Sequence, residues 1–217
     1  LMLTVSLGVA LCGAELVLGA IDLHPTTTEL LARVAGEQGV PFDRRTRTDV
    51  LQALRESGLD AQISVFPMDV ASRGGITVSG RTVFPLSSLA GKTTIYCNES
   101  GTWAIFDSDE QGFNNPAGVW NEDPDVVIVG DSFGQGACVQ MGEDVAGQLR
   151  EAGVHALNLG AAGTGPLAQL GILVEYAERV RPRTVFWLFY EGNDFSDLAH
   201  ERDFELLRRY LGPGFSQ

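Results

Sequence analysis

The chain has 217 residues, of which 44% are hydrophobic, and this is enough for one domain of ordinary size with a packed core and a lead-in segment. Its formal net charge at pH 7 is -13. We expect no nucleic-acid partner, because the sequence has no basic stripe that could neutralise phosphates. The same acidity argues against electrostatic docking on an anionic membrane surface.

Residues 1–21 are almost wholly apolar and predict a transmembrane or signal-anchor helix, since about 20 apolar residues are enough to span a bilayer. A cleaved signal peptide is the main alternative. Its apolar region is usually about 7–15 residues long, and cleavage after Ala20 would put the large Leu18 three residues before the cut. A buried amphipathic core helix is a third interpretation. Glu15 is costly in lipid and would need protonation, snorkelling or a helix partner.

Three cysteines are present, and Cys12 lies in the apolar segment. If the body of the protein lies outside the cytoplasmic membrane, a disulfide between Cys97 and Cys138 is permitted. Two unrelated buried thiols fit the sequence as well. There is no CxxC pair and no His/Cys cluster, so we expect no metal and no cofactor.

The segment 22–92 is predicted to be a membrane-proximal mixed region. Short helices are indicated at 29–34 and at 48–57, where Gly58 follows the second of them. The remainder is rich in Gly, Pro and Ser and is interpreted as loops and edge strands, with β-type runs at 76–78 and 82–84.

The segment 93–124 is predicted to be a lead-in to the main domain. Two β-rich runs, 93–97 and 102–106, flank a loop that contains Gly101, which is typical of a β-hairpin. The residues that follow, 107–124, are polar and rich in turn formers.

From residue 125 to 217 the pattern changes to alternating strands and helices. Four consecutive apolar residues at 126–129 predict a strand that is buried on both faces. A helix near 144–152, a strand at 155–159, a helix at 166–180 and a strand at 184–190 follow. Strand starts recur about every 30 residues, which is the length of a strand-helix-strand unit. The pattern predicts an α/β domain whose parallel sheet has helices on both faces.

Each predicted strand ends in a short polar loop: the first loop at 130–132, the second loop at 158–165 and the third loop at 191–194. Because the carboxyl ends of parallel strands meet at one edge of the sheet, we expect these loops to converge. A serine hydroxyl, glycine amides and an asparagine amide would then lie together. Acyl transfer needs such a set, because the hydroxyl attacks and the donors stabilise the oxyanion that develops.

The Gly-Asp-Ser of the first loop, the Asn-x-Gly-x-x-Gly of the second and the Gly-Asn-Asp of the third resemble blocks I, II and III of the SGNH (GDSL-like) hydrolase superfamily. The resemblance extends from Thr93 to about Leu211 and implies an SGNH hydrolase domain over 93–217. It implies a three-layer α/β sandwich with a parallel sheet, the flavodoxin-like SGNH fold. It implies that Ser132 is the nucleophile, that Gly163 supplies a backbone oxyanion donor and that Asn193 supplies a side-chain donor. Gly160 is the alternative for the glycine role. The segment before the first strand also resembles membrane-anchored bacterial members of uncertain function.

The sequence departs from the family pattern at the general base, a histidine in a DxxH motif well after block III. Asp197 and His200 spell DxxH only four residues after Asn193, so we expect His200 to be a surface residue of the next helix. His155 is expected to be structural. We expect the base to lie beyond Gln217, so that the chain is a fragment incomplete at both ends. Its partial α/β core is expected to be nearly inactive, because Ser132 has no activating base.

The leading hypothesis is therefore a serine esterase or acyl hydrolase outside the cytoplasmic membrane, periplasmic or on the cell surface, which acts on O-acyl groups of envelope lipid or glycan through an acyl-enzyme. The alternatives are a carbohydrate O-acyltransferase and a non-catalytic SGNH-like binding or assembly module. Gly130, Ser132 and Gly134 also match the nucleophile elbow of α/β-hydrolases, but the segment before them lacks the strand-helix units that this fold requires. The glycines at 160–165 match neither of the phosphate-binding loop patterns GxxxxGK[ST] and GxGxxG.

Overall fold

The computed structural model describes residues 26–217. The predicted membrane helix at 1–21 therefore lies outside the described residues. Within the described part of the chain, no helix has both the length and the apolar character needed to cross a bilayer.

The helices and strands alternate irregularly before residue 126 and regularly after it. The helices are α1 (Thr27–Gln38), α2 (Arg47–Glu56), α3 (Pro67–Ser72), α4 (Ser132–Gln135), α5 (Val145–Glu151), α6 (Pro166–Ile172), α7 (Glu178–Val180), α8 (Asp194–Glu201) and α9 (Glu205–Arg209). A π-helical turn, Leu173–Ala177, joins α6 to α7. The strands are β1 (Ala61–Ile63), β2 (Ile76–Val78), β3 (Arg81–Val83), β4 (Thr93–Ile95), β5 (Ile105–Asp107), β6 (Val126–Gly130), β7 (Ala156–Asn158) and β8 (Thr184–Leu188).

The described chain divides into two units. The smaller holds the described residues up to Arg44 together with Glu99–Thr102, and α1 is its helix. Thr26 and Glu29 form a capping box at the start of α1, in which the Thr26 amide donates to the Glu29 carboxylate at 2.8 Å. This hydrogen bond lowers the pKa of Glu29. The larger unit holds every other described residue.

The larger unit contains a parallel sheet with the strand order β7-β6-β8. Val126 of β6 pairs with Ala156 of β7 on one side and with Thr184 of β8 on the other. The three strands predicted after residue 125, and their parallel arrangement, are confirmed. β6 lies in the centre, which accounts for its uninterrupted apolar sequence, because a central parallel strand is covered on both faces.

Alternate residues of β6 pack into two different clusters. Val127 and Val129 are fully buried with Ile172 of α6, whereas Ile128 is buried with Ala146 of α5 and Ala156 of β7. This alternation follows from the pleat, which points successive side chains to opposite faces. The predicted mixed α/β class is confirmed at this level.

A second sheet of the larger unit has the order β1-β4-β5. The antiparallel pair β4–β5 confirms the predicted hairpin, and β1 adds to it in parallel. Val50 of α2 packs on this sheet with Ile95 and Trp103. β2 and β3 form a separate antiparallel pair in the region predicted to contain edge strands. Helix α3 was not predicted.

β8 forms one margin of the parallel sheet in the described part of the chain. Val185, Phe186 and Trp187 are 43%, 48% and 51% exposed, although all three are large and apolar. Since neighbouring side chains of a strand point to opposite faces, both faces of β8 are open here. β8 is thus exposed where β6 is buried, despite a similar apolar sequence.

Candidate functional site

Ser132 lies at the carboxyl end of the central strand. β6 ends at Gly130, and the fully buried Asp131 caps the one-turn helix α4 by accepting the Phe133 amide at 2.9 Å. Ser132 is the first residue of α4 and is partly exposed. Its hydroxyl forms no hydrogen bond with the side chains of residues 26–217. The hydroxyl therefore stands where open α/β sheets bind their ligands.

Gly163 lies at the tip of the second loop. The loop closes on itself, because the Thr164 hydroxyl and amide donate to the Ala161 carbonyl at 2.6 and 3.3 Å. Gly163 has a left-handed φ of 73° and is exposed. On the side towards α4, the Ala162 amide donates to the Gln135 side chain at 2.9 Å. The turn that carries Gly163 is thus tied to the helix that begins with Ser132.

Gly160 allows the first and second loops to approach each other closely. A Cβ atom at Gly160 would lie 2.1 Å from the Gln135 amide nitrogen, a distance that no side chain tolerates. The Ala161 amide also donates to the Gly130 carbonyl at 3.0 Å. Close packing therefore explains why residue 160 is a glycine. Gly163 is the exposed glycine of this loop.

Asn193 joins the third loop to the first. Its Nδ2 atom donates to Oδ2 of Asp131 and to Oδ2 of Asp197, at 2.9 Å in both cases. Asn193 Oδ1 is buried and has no hydrogen-bond partner among the described residues. The side chain lies next to the residue that precedes Ser132, and in this arrangement both amide hydrogens are directed to carboxylates.

All three predicted loops consequently meet at one edge of the sheet, while the catalytic roles of Ser132, Gly163 and Asn193 remain predictions. The two histidines of the described residues lie elsewhere. His200 is exposed on α8, as expected. His155 precedes β7, at the opposite edge of the sheet, with its Nδ1 atom 3.4 Å from a Glu122 oxygen. Neither imidazole of the described residues is hydrogen-bonded to Ser132.

Carboxylates behind the three loops were not singled out in the sequence. Asp194 is fully buried, where its Oδ2 accepts the Tyr190 amide at 2.5 Å and its Oδ1 accepts the Gln169 side chain at 3.3 Å. Burial raises the pKa of Asp194, and the negative charges of Asp131 and Asp197 add to this effect against the opposing Tyr190 hydrogen bond. The described residues hold no group of His, Cys, Asp or Glu arranged to bind a metal ion.

The raised pKa of Asp194 predicts a pH dependence of stability. The folded protein binds the Asp194 proton more tightly than the unfolded chain, in which the pKa of this carboxyl is near 3.8. The free energy of unfolding should therefore fall as pH rises from 3.8 through the pKa of the folded protein. The Asp194→Asn variant has no carboxylate to protonate at this position, so its free energy of unfolding should fall less steeply over the same pH range. Urea titrations at a series of pH values measure the slope. Asp203→Asn, at an exposed site, is the control, and equal slopes for the two variants would contradict the prediction.

Hydrogen bonds from the buried side chains of Asn115 and Asn158 hold the start of the second loop in place. Asn115 is fully buried, and its side chain exchanges two hydrogen bonds of 2.8 Å with the backbone amide and carbonyl of Asn158. Asn158 in turn accepts the Gly160 amide on its side chain at 2.8 Å. Asn115 lies in the segment 107–124, whose sequence indicated only turns.

Two exposed aromatic rings lie together at the start of α4. Phe133 follows Ser132 directly, and its ring centroid lies 4.7 Å from that of Tyr190, at the end of β8. Both rings are largely exposed. They form an exposed apolar surface at the start of α4.

Cys97 and Cys138 form a disulfide, with a Cα–Cα distance of 5.2 Å. Of the two possibilities that the sequence left open, the bridge is therefore the one found. It connects the segment after β4 to the segment after α4, four residues beyond Gly134.

Comparisons with known proteins add no relative: no family model, no curated protein and no solved structure matches the chain. The case for a function therefore comes from the residues and contacts described above.

Proposed function

We propose that the chain carries the nucleophile and oxyanion donors of an SGNH-type serine esterase, with the three-layer flavodoxin-like sandwich of that superfamily. The observation that carries the proposal is the 2.9 Å hydrogen bond from Asn193 to Asp131. It brings the third loop against the residue that precedes Ser132. The convergence of a hydroxyl, an exposed glycine turn and an asparagine amide is the arrangement that acyl transfer requires.

In the proposed reaction, the Ser132 oxygen attacks the carbonyl carbon of an O-acyl group, and the alcohol of the lipid or glycan leaves with a proton. Water then attacks the acyl-enzyme and releases the acid. The Gly163 amide and the Asn193 side chain donate to the oxyanion of each tetrahedral intermediate, and a donor of this kind contributes about 2.7–4 kcal/mol. Asn193 must redirect one hydrogen from Asp131 or Asp197 to do so.

The general base is the element of this mechanism that the described histidines do not provide. A hydroxyl is a weak nucleophile without an adjacent base, so the proposal requires a base to approach Ser132 in the active protein. The aromatic pair Phe133 and Tyr190 supports an apolar acyl chain or a sugar ring as the group bound beside it.

A fluorophosphonate probe tests the nucleophile, because it labels only activated serines. We expect the intact natural protein to be labelled and Ser132→Ala to fall to background. Ser72→Ala, at an exposed serine of α3, is the matched control and should label like the wild type. Equal labelling of the Ser132→Ala variant and the wild type would end the assignment.

A carbohydrate O-acyltransferase would use the same acyl-enzyme, with a sugar hydroxyl in place of water. Analysis of the products formed from an acylated donor, with and without added glycan, distinguishes the two enzymes. Transfer of the acyl group to the glycan would identify the transferase, and release of free acid alone would identify the hydrolase.

A non-catalytic binding or assembly module is a second candidate, which the commitment of both Asn193 hydrogens to carboxylates favours. Such a module keeps the fold without the chemistry. It predicts no probe labelling of the intact protein in any variant, together with unchanged ligand binding in Ser132→Ala.

A further inference from the structure

One face of α8 contacts both elements that carry the proposed oxyanion donors. Asn193 is the residue directly before the helix, Asp197 follows four residues later and Glu201 four residues after that. Residues at this spacing lie on one side of a helix. Asp197 accepts the Asn193 side chain at 2.9 Å. Glu201 lies at the far end of the same face.

Glu201 is a buried carboxylate whose hydrogen bonds with residues 26–217 are all to backbone amides of a distant segment. It is 1% exposed. Its Oε1 accepts the Gly165 amide at 2.7 Å, and its Oε2 accepts the amides of Leu167 and Ala168 at 2.8 and 3.3 Å. The first amides of a helix lack partners within the helix, and Glu201 supplies them for α6 from 36 residues away.

The contact between α8 and the start of α6 is too close for any side chain at Gly165. A Cβ atom there would lie 2.7 Å from Cβ of Asp197 and 2.8 Å from Oε2 of Glu201. Gly165 is two residues from Gly163, and the Thr164 carbonyl between them accepts the Gln169 side chain at 2.9 Å. The end of the second loop therefore has little freedom to move independently of α8.

We infer that Glu201 is a positioning residue, which fixes the Gly163 turn relative to Asn193 by anchoring the end of the second loop to α8, the helix that begins directly after Asn193. This inference rests on the proposed function. Glu201 contacts no substrate in this role. It acts through the backbone of Gly165, and the two oxyanion donors then move as one body instead of two.

Glu201→Gln tests the inference, because glutamine keeps the shape but turns an NH₂ group towards amides that need an acceptor. We expect kcat for an ester substrate to fall about 10–100-fold in the intact protein with KM little changed, since small misplacement of catalytic groups is costly. Amide hydrogen exchange at Gly165, Leu167 and Ala168 should accelerate. Glu201→Asp, which keeps the charge but is one methylene shorter, should lose less activity.

Glu205→Gln, at an exposed glutamate in the first turn of α9, is the matched control and should leave kcat and exchange unchanged. Faster exchange in Glu201→Gln with an unaltered kcat would overturn the inference, because the contact would then serve the fold alone. Unaltered exchange would also overturn it. Failure of the proposed function is distinguishable, because the wild type would then show no labelling that depends on Ser132, whatever Glu201→Gln does.

Discussion

Replacing Cys97 and Cys138 together by serine is expected to lower the free energy of unfolding by about 4 kcal/mol. The bridge closes a loop with a sequence separation of 41, and the loss comes mainly from the extra freedom of the unfolded chain. For a protein of this length, such a loss corresponds to a melting temperature lower by about 8–16 °C.

Thermal melting of the wild type and the double variant measures the effect. A reductant should lower the melting temperature of the wild type towards that of the variant and leave the variant unchanged, because the variant has no bridge to break. Two freely reactive thiols at Cys97 and Cys138 in a secreted preparation would contradict the bridge itself.

The bridge also bears on the site. Cys138 lies six residues after Ser132 with a left-handed φ of 60°, so the segment after α4 has an uncommon backbone conformation. Its other end follows β4 of the second sheet. The disulfide therefore ties the segment that follows α4 to the segment that follows β4.

The elements that the sequence predicted well are those with a strong local pattern. The apolar run of β6, the spacing of apolar residues from Pro166 onwards and the hairpin of β4 and β5 each follow from neighbouring residues, and each is confirmed. The meeting of the three polar loops at one edge follows from the parallel order of the strands.

The apolar run at 126–129 predicted a strand buried on both faces, but local pattern could not predict that β8 is exposed. β6 and β8 have similar apolar sequences, yet Val127 is fully buried and Trp187 is half exposed. The difference depends on what packs against each strand, which is a tertiary property. The parallel addition of β1 to β4, across 32 residues, escaped prediction for the same reason.

The candidate site shows the same limit. The motifs pointed to Ser132, Gly163 and Asn193, but not to the carboxylates that orient them. In the sequence, Asp197 stands out only as part of the DxxH pattern with His200, and Glu201 belongs to no motif. Their roles depend on hydrogen bonds to Asn193 and to Gly165, which no spacing in the sequence reveals.

Asn114 and Asn115 are adjacent asparagines that are both buried, but they differ in how completely they are hydrogen-bonded. Asn115 fills all four of its hydrogen-bonding positions: it donates to Asp109 and to the Asn158 carbonyl, and it accepts from the Asn158 amide and from Arg150. Asn114 donates to the Gln135 carbonyl at 2.9 Å, while its Oδ1 has no partner among the described residues.

Asn115→Ala is therefore expected to cost about 3–6 kcal/mol of unfolding free energy, since it leaves several buried groups of β7 and its surroundings unpaired at about 1–3 kcal/mol each. Asn114→Ala removes one hydrogen bond together with a side-chain oxygen that is already unpaired, and should cost about 1 kcal/mol. Urea unfolding of the two variants measures the difference. Equal losses would mean that burial alone, and not the completeness of the hydrogen bonding around Asn158, determines how strongly this network supports the second loop.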